Sequence, residues 1–253
     1  MLHFDNIAFG PLHSRRLGSS LGVNILPAEG KLCNFDCVYC ECGWNRDGAA
    51  GNKIFPGAAD VREALSEKLR QCSESHAVID SITFSGNGEP TLNPDFPAIV
   101  DITLELRDKY FPDAKVSVLS NATTLGRPGV LEALKRVDNP IMKIDAGEDA
   151  GIKLVNRPCC RYSLGETLAA LKQFGGDFIL QTMFLGGPDF ESSGTGNLKK
   201  WMDIVRYLHP REVMVYTIDR ETPMKGLRKY TVELMENLVR PLTEEGFVIQ
   251  IRG

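Results

Sequence analysis

Short runs of apolar and β-branched residues alternate along the chain with longer stretches in which apolar residues return every three or four positions. Residues 23–26, 81–84, 115–119, 141–144, 178–184 and 213–218 read as strands, and those near 58–73, 95–110, 128–137, 163–174, 197–208 and 231–245 read as helices. Leu164, Leu168, Leu171 and Phe174 follow one helix face, as do Leu198, Met202, Val205 and Leu208, so both helices present an apolar stripe to a core. The punctuation agrees. Ser163 and Glu166 form a capping box, Gly175-Gly176 closes that helix, and Pro210 closes the next. Residues 247–251 read as one further strand.

A strand followed by a helix six times over implies parallel β/α units joined by right-handed crossovers. Six units are too few to close an eight-stranded barrel. The expected fold is therefore α/β, a partial (β/α)6 TIM-like barrel with parallel strands, in a single domain over 1–253. Residues 1–22 lead in, 23–221 form the barrel core, and 222–253 add a C-terminal helix and strand. In complete barrels the active site lies at the C-terminal ends of the strands, so the residues just after each strand are the candidates here.

The composition narrows the class. The 253 residues are 43% hydrophobic and 25% charged, ordinary for a soluble globular protein, and no apolar run approaches the ~20 residues that span a bilayer. The start, MLHFDNIAFG, lacks the basic-then-apolar pattern of a secretory signal. The expectation is a cytoplasmic protein without a membrane segment, whose seven cysteines are thiols or metal ligands. A net charge of -4 weighs against a strongly electrostatic nucleic-acid binder, although a local basic patch could still hold RNA.

The strand exits are polar throughout. The second leads into Gly86-Asn87-Gly88-Glu89, the third into Ser120 and Asn121, and the sixth ends in Tyr216, Asp219 and Arg220. Gln181 lies within the fifth. Lys143 and Asp145, at the fourth, are two positions apart and so share a face. Taken singly, each has a plainer reading: an ordinary turn, an internal ion pair, a solvated loop. After the first strand comes CNFDCVYCEC, with Cys33, Cys37, Cys40 and Cys42 in ten residues.

Cys-x3-Cys-x2-Cys lacks the second half usual in a structural zinc site, since Cys72 is alone in a predicted helix and Cys159-Cys160 are adjacent. Thiolates suit iron–sulfur clusters equally well, and three of them leave one iron of a four-iron cluster open. Three readings stand: an open catalytic cluster, a cluster closed by Cys42 in an electron-transfer protein, and a zinc-stabilised barrel that only binds.

With these residues assembled, the chain resembles the radical SAM superfamily. Its signature is this three-cysteine spacing with an aromatic residue before the third, here Tyr39, and Gly86-Asn87-Gly88-Glu89 is similar to the family's "GGE" motif. The resemblance implies that Cys33, Cys37 and Cys40 bind a [4Fe-4S] cluster whose fourth iron is chelated by S-adenosylmethionine. It implies that Gly86, Asn87, Gly88 and Glu89 hold the methionine amine, that Tyr39 lies near the adenine, and that Ser120 and Asn121 meet the carboxylate or ribose. Gln181 lies on the strand that should pack the adenine, though the family's Gly-Xaa-Ile-Xaa-Gly pattern is not evident there.

The implied reaction is reductive cleavage of the cofactor to a 5'-deoxyadenosyl radical, which takes hydrogen from a substrate over the barrel mouth. Lys143, Asp145, Tyr216, Asp219 and Arg220 would face that substrate, and a flavodoxin or ferredoxin would supply the electron. Arg15 and Arg16 either anchor an anionic substrate group or form structural ion pairs. PLHSRRLG, VNRP and YTIDRETP further resemble a subgroup related to wyosine-base formation, whose members modify a tRNA guanosine. This chain is shorter and acidic, so that substrate is not carried over.

Overall fold

The computed structural model describes residues 3–45 and 54–253. Its N-terminal residues fold back on themselves before any helix forms, β1 (Ala8–Ser14) and β2 (Gly18–Val23) making an antiparallel hairpin. The chain then runs through α1 (Ala58–Glu74), β3 (Ser81–Phe84), α2 (Phe96–Tyr110), β4 (Lys115–Ser120), α3 (Val130–Arg136), β5 (Asn139–Lys143), α4 (Asp149–Val155) and α5 (Leu164–Leu171). It continues with β6 (Ile179–Met183), β7 (Leu185–Gly186), α6 (Thr195–Leu208), β8 (Glu212–Tyr216), β9 (Arg228–Lys229), α7 (Val232–Glu244) and β10 (Ile249–Arg252).

Eight strands form one sheet in the order β1-β2-β3-β4-β5-β6-β8-β10, parallel from β2 onward, while β7 and β9 pair separately. This curled sheet is the partial barrel that the alternation predicts, and its parallel series ends in the additional strand expected at the C-terminus.

The period of two divides the central strands between two cores. Leu21, Ile82, Phe84, Val116, Val118, Leu180 and Val213 face outward and pack beneath the helices. Ile141, Ile179 and Met214 face inward with Leu17 and Leu119, and plug the barrel floor. Each fully buried aliphatic side chain of this kind contributes roughly 1.5–3 kcal/mol. Trp201 of α6, the largest fully buried side chain, satisfies its indole N–H by donating to Thr182 Oγ1 at 3.0 Å.

The helices lie within a few residues of their predicted positions, but two features differ. The first parallel strand is Gly18–Val23, upstream of the predicted 23–26, and the supposed lead-in is a hairpin within the sheet. Glycine and serine dominate β2 because small residues are needed there. The Phe9 ring lies where a side chain on Gly22 would project, 2.1 Å from its ideal Cβ position. The second difference is α4, whose seven residues are too few to show a helical period.

The hairpin turn also reaches the other end of the sheet. Arg15 Nη1 donates to Gly253 O at 2.5 Å and Arg252 Nε donates to Arg15 O at 2.7 Å, so the turn bridges the open side of the barrel. Among the described residues, no helix is long and apolar enough to cross a membrane.

Candidate active site

The cysteine loop is held by its backbone on two sides. On one, Leu32 N donates to Asn87 O at 2.7 Å and Glu89 N donates to Leu32 O at 3.1 Å, pairing Leu32 with Gly88 as a short parallel bridge. Only glycine fits at position 88. Its φ is +139° and a Cβ would stand 1.9 Å from Leu32 O. On the other side, Asp36 N and Val38 N donate to Asn156 O and Val155 O, both at 2.9 Å, and Phe35 pairs with Pro158. Met224 N donates to Val38 O at 3.2 Å. The VNRP segment therefore clamps the cysteine loop, and the chain following YTIDRETP covers it.

Cys33, Cys37, Cys40 and Cys42 line a cavity of about 230 Å³ at the C-terminal ends of the strands, which also takes in Gly86, Gly88 and Glu89. Cys33 Sγ accepts from Phe35 N at 3.4 Å and Asn121 Nδ2 at 3.7 Å, and Cys37 Sγ accepts from Asn156 Nδ2 at 3.3 Å. Burial pushes the Cys37 thiol up to about 11 and raises that of Cys33 well above the usual range. Cys40 goes the other way. A hydrogen bond from the Cys42 thiol lowers it, against the effect of burial, and Lys31 assists.

Lys31 was not singled out by sequence reasoning. Its side chain is 2% exposed, and its ammonium donates to Gly43 O at 3.0 Å and pairs with Asp36 at 3.2 Å. Burial opposes its charge, but Cys40, Cys33, Cys37 and Asp36 together hold its pKa above the usual lysine value. Asn156 was missed as well, although VNRP drew notice. Fully buried, its amide reaches Cys37 Sγ, Asp145 Oδ2 at 2.6 Å and Tyr39 OH at 3.3 Å.

Most of the predicted site residues meet at this cavity: Cys33, Cys37, Cys40, Tyr39, Gly86, Gly88, Glu89, Ser120, Asn121, Lys143, Gln181, Tyr216, Asp219 and Arg220 all line it. Two do not. Asn87 is fully buried and turned away, its amide donating to Phe4 O at 2.9 Å and Pro27 O at 3.1 Å, so it braces the N-terminal segment. Asp145 lies behind the wall, where Oδ1 accepts from Met183 N at 2.8 Å and Oδ2 accepts from Asn156 and Tyr39.

Glu89 faces the cavity with its carboxylate already engaged. Oε1 accepts from Thr91 N at 3.2 Å, Thr91 Oγ1 at 2.6 Å and Ser120 Oγ at 2.9 Å, and Oε2 accepts from Asn121 N at 2.7 Å. Burial nonetheless raises its pKa. Lys143 donates to Tyr216 OH at 2.7 Å and stands 3.9 Å from Asp145. Burial works against its charge, but Asp145, Tyr216 and Cys37 keep it firmly an ammonium. Burial, reinforced by Asp145, keeps Tyr39 a neutral phenol. Asp219 pairs with Arg15 at 3.6 Å and Lys229 at 3.7 Å, and Arg220 pairs with Glu41.

Among the described residues no three His, Cys, Asp or Glu side chains are grouped as the ligands of one metal ion. Three sulfurs spread along one wall, with N–H donors on two of them and space in front, fit a larger cluster. Cys42 also borders the cavity, its sulfur 3.2 Å from Gly86 O and beside Cys40, and no contact of it supports a closed cluster.

The comparisons agree with this reading. A UPF0026 protein of Methanocaldococcus jannaschii is 27% identical over 242 residues, covering 94% of this chain and 71% of its own length. A radical SAM methyltransferase from Sphaerobacter thermophilus superposes with a TM-score of 0.68 at 18% identity, over 92% of this chain and 65% of that one. Streptococcus suis SuiB, solved bound to S-adenosylmethionine, gives 0.60 at 15%, over 89% and 46%. At such identities the solved structures show the shared fold, and this chain spans less than two thirds of either. The model of the Radical SAM superfamily matches residues 30–233, from just before the cysteine loop into α7. The chain therefore belongs to the radical SAM superfamily, and that membership carries the iron–sulfur chemistry, with a [4Fe-4S] cluster and S-adenosylmethionine as cofactors, that the cysteine spacing implied.

Proposed function

We propose that Cys33, Cys37 and Cys40 ligate three irons of the cluster and leave the fourth to S-adenosylmethionine, whose methionine end lies against Gly86, Gly88 and Glu89. The observation that carries this reading is the Leu32–Gly88 bridge, which puts the cysteine loop and the Gly-Glu turn on one cavity wall. When bound, the two cofactors supply one-electron cleavage of a sulfonium and thereby hydrogen abstraction from a substrate.

The protein's own residues would then hold and shield. Asn121 and Asn156 direct amide N–H groups at two of the sulfurs, and Lys31 sets a buried positive charge beside all three. Ser120 and Asn121 tie β4 to Glu89, so the turn and the neighbouring strand end keep one geometry. Lys143, Gln181 and Tyr216 line the cavity from β5, β6 and β8 and would face the substrate, which an external one-electron reductant would allow to react. The likeness to the wyosine-related subgroup has a structural source: VNRP, and the chain after YTIDRETP, both pack on the cysteine loop. Those motifs report how the loop is held and name no substrate.

Anaerobic reconstitution with iron and sulfide tests the reading. Four irons per chain, a reduced EPR signal that changes on adding S-adenosylmethionine, and release of 5'-deoxyadenosine are expected, and Cys42→Ala should retain all three. Stoichiometric zinc, or a signal indifferent to the cofactor until Cys42 is removed, would overturn it.

A further inference from the structure

Two of the seven cysteines are exposed, and they are neighbours in sequence. Cys159 and Cys160 follow directly on the VNRP segment that clamps the cysteine loop, and neither lines the cavity.

Cys159 is tied to that loop by backbone and by sulfur. Its N donates to Asn34 O at 2.9 Å, and its Sγ accepts from Asn45 Nδ2 at 3.4 Å. Asn45 is itself a fastener of the loop. Its Oδ1 accepts from Cys33 N at 3.2 Å, its Nδ2 also donates to Phe35 O at 3.1 Å, and its N donates to Asp36 Oδ1 at 2.9 Å. A single side chain therefore stands between the Cys159 sulfur and the backbone of Cys33.

Two exposed thiols one peptide bond apart can be oxidised to a disulfide without a partner chain. Such a ring differs from an ordinary bridge. Adjacent Cα atoms lie about 3.8 Å apart across a trans peptide, whereas bridged cysteines usually stand about 4.4–6.8 Å apart. Closure must therefore twist the backbone at 159–160, beside the amide that donates to Asn34 O, and turn the Cys159 sulfur away from Asn45. A strained, exposed disulfide is readily reduced again, so the bond is reversible.

We propose that Cys159 and Cys160 form a site of thiol–disulfide exchange, oxidised by a low-molecular-weight disulfide, and that closure of the pair loosens the cysteine loop. One cysteine thiolate attacks a sulfur of the small disulfide, making a mixed disulfide and releasing one thiol. The second cysteine attacks the protein sulfur of that mixed disulfide and releases the other thiol. Two protein thiols are thereby oxidised, the small disulfide is reduced to two thiols, and the two cysteine protons end on them. The pair reacts ahead of the other cysteines because it alone is exposed. With Cys33 a cluster ligand, as in the reading above, Asn45 and Asn34 carry the state of the pair to the cluster.

The test uses the reconstituted protein under anaerobic conditions, in glutathione buffers from fully reduced to fully oxidised, quenched by alkylation. The tryptic peptide 154–161 holds both cysteines, because proline follows Arg157, and its mass should show a closed pair. Half-closure is expected within the range of these buffers, in which an unstrained structural disulfide would stay oxidised. On closure, amide hydrogen exchange over residues 33–38 should quicken about threefold or more, and iron transfer to a chelator should quicken with it. Cys160→Ser lies outside the cavity and should abolish both responses at wild-type iron content and thermal midpoint.

No closed pair at any ratio, a glutathione adduct that persists on either cysteine, or a disulfide between two chains overturns the proposal. So does closure that leaves exchange over 33–38 unchanged, or a Cys160→Ser protein that responds as wild type does. A wild-type chain that takes up no cluster would overturn the proposed function instead; the disulfide and the exchange over 33–38 are still read on that chain and decide this proposal separately.

Discussion

Leu32 and Gly88 face each other so closely that the Cα hydrogen of one glycine decides whether the cysteine loop can dock on β3. Gly88→Ala places a methyl 1.9 Å from a backbone oxygen and forces a residue at φ +139°. We expect a loss of about 1–3 kcal/mol in urea unfolding and iron incorporation well below four per chain. Wild-type iron content with an unchanged urea midpoint would contradict the role of the bridge.

Asn156 joins Cys37 to Asp145 through one amide. Asn156→Ala takes a donor from a buried carboxylate, which should cost about 1–3 kcal/mol, and one from a sulfur. Hydrogen bonds to cluster sulfurs raise the reduction potential, so the variant's midpoint should be lower in an EPR-monitored titration. A loss of stability with no shift in potential would limit Asn156 to a structural part.

Lys31 offers a second route to the same observable. Its ammonium stabilises negative charge on Cys33, Cys37 and Cys40 alike, so Lys31→Met should lower the cluster midpoint and Lys31→Arg should restore part of the shift. A midpoint equal to wild type in a fully loaded Lys31→Met protein would exclude this electrostatic part.

Asp138 governs a share of the acid stability, away from the cavity. It accepts from Val116 N at 2.8 Å and Arg107 Nη1 at 2.7 Å; burial opposes its charge, but these partners outweigh it and lower the pKa. A carboxylate whose folded pKa lies below the unfolded one, about 3.9, stabilises fully above that value and loses its contribution as pH falls through the folded pKa. Asp138→Asn should therefore cost roughly 1–2 kcal/mol at neutral pH, with the gap closing below about pH 4. A pH-independent gap in urea unfolding would rule this out.

What could be read from the chain depended on how far apart the partners lie. Leu198, Met202, Val205 and Leu208 signal a helix among themselves, and Cys33, Cys37 and Cys40 carry their spacing within eight residues. Asn156 meets Cys37 across 119 residues, and nothing local to VNRP says that its amide would reach a sulfur. Lys31, two residues before Cys33, has no pattern of its own; its role exists only once Gly43 and Asp36 fold around it. Asn87 shows what a motif leaves open. Its four residues are adjacent in sequence, but the Asn87 side chain binds backbone from Phe4 and Pro27, while Gly86, Gly88 and Glu89 line the cavity. The hairpin escaped notice because β2 needs small residues under Phe9, and small residues carry little strand signal.

The contacts of Arg15 with Gly253 and Arg252 join positions 237 and 238 residues apart in the chain. A ribosome delivers residue 16 early and residues 252 and 253 more than two hundred peptide bonds later, so the turn bearing Arg16 gains this anchor only after β10 has been made. The β/α units can pair strand by strand as they emerge, while the wall that completes the mouth waits for β10. The order of assembly thus runs from scaffold to mouth, and the chemistry is enclosed last.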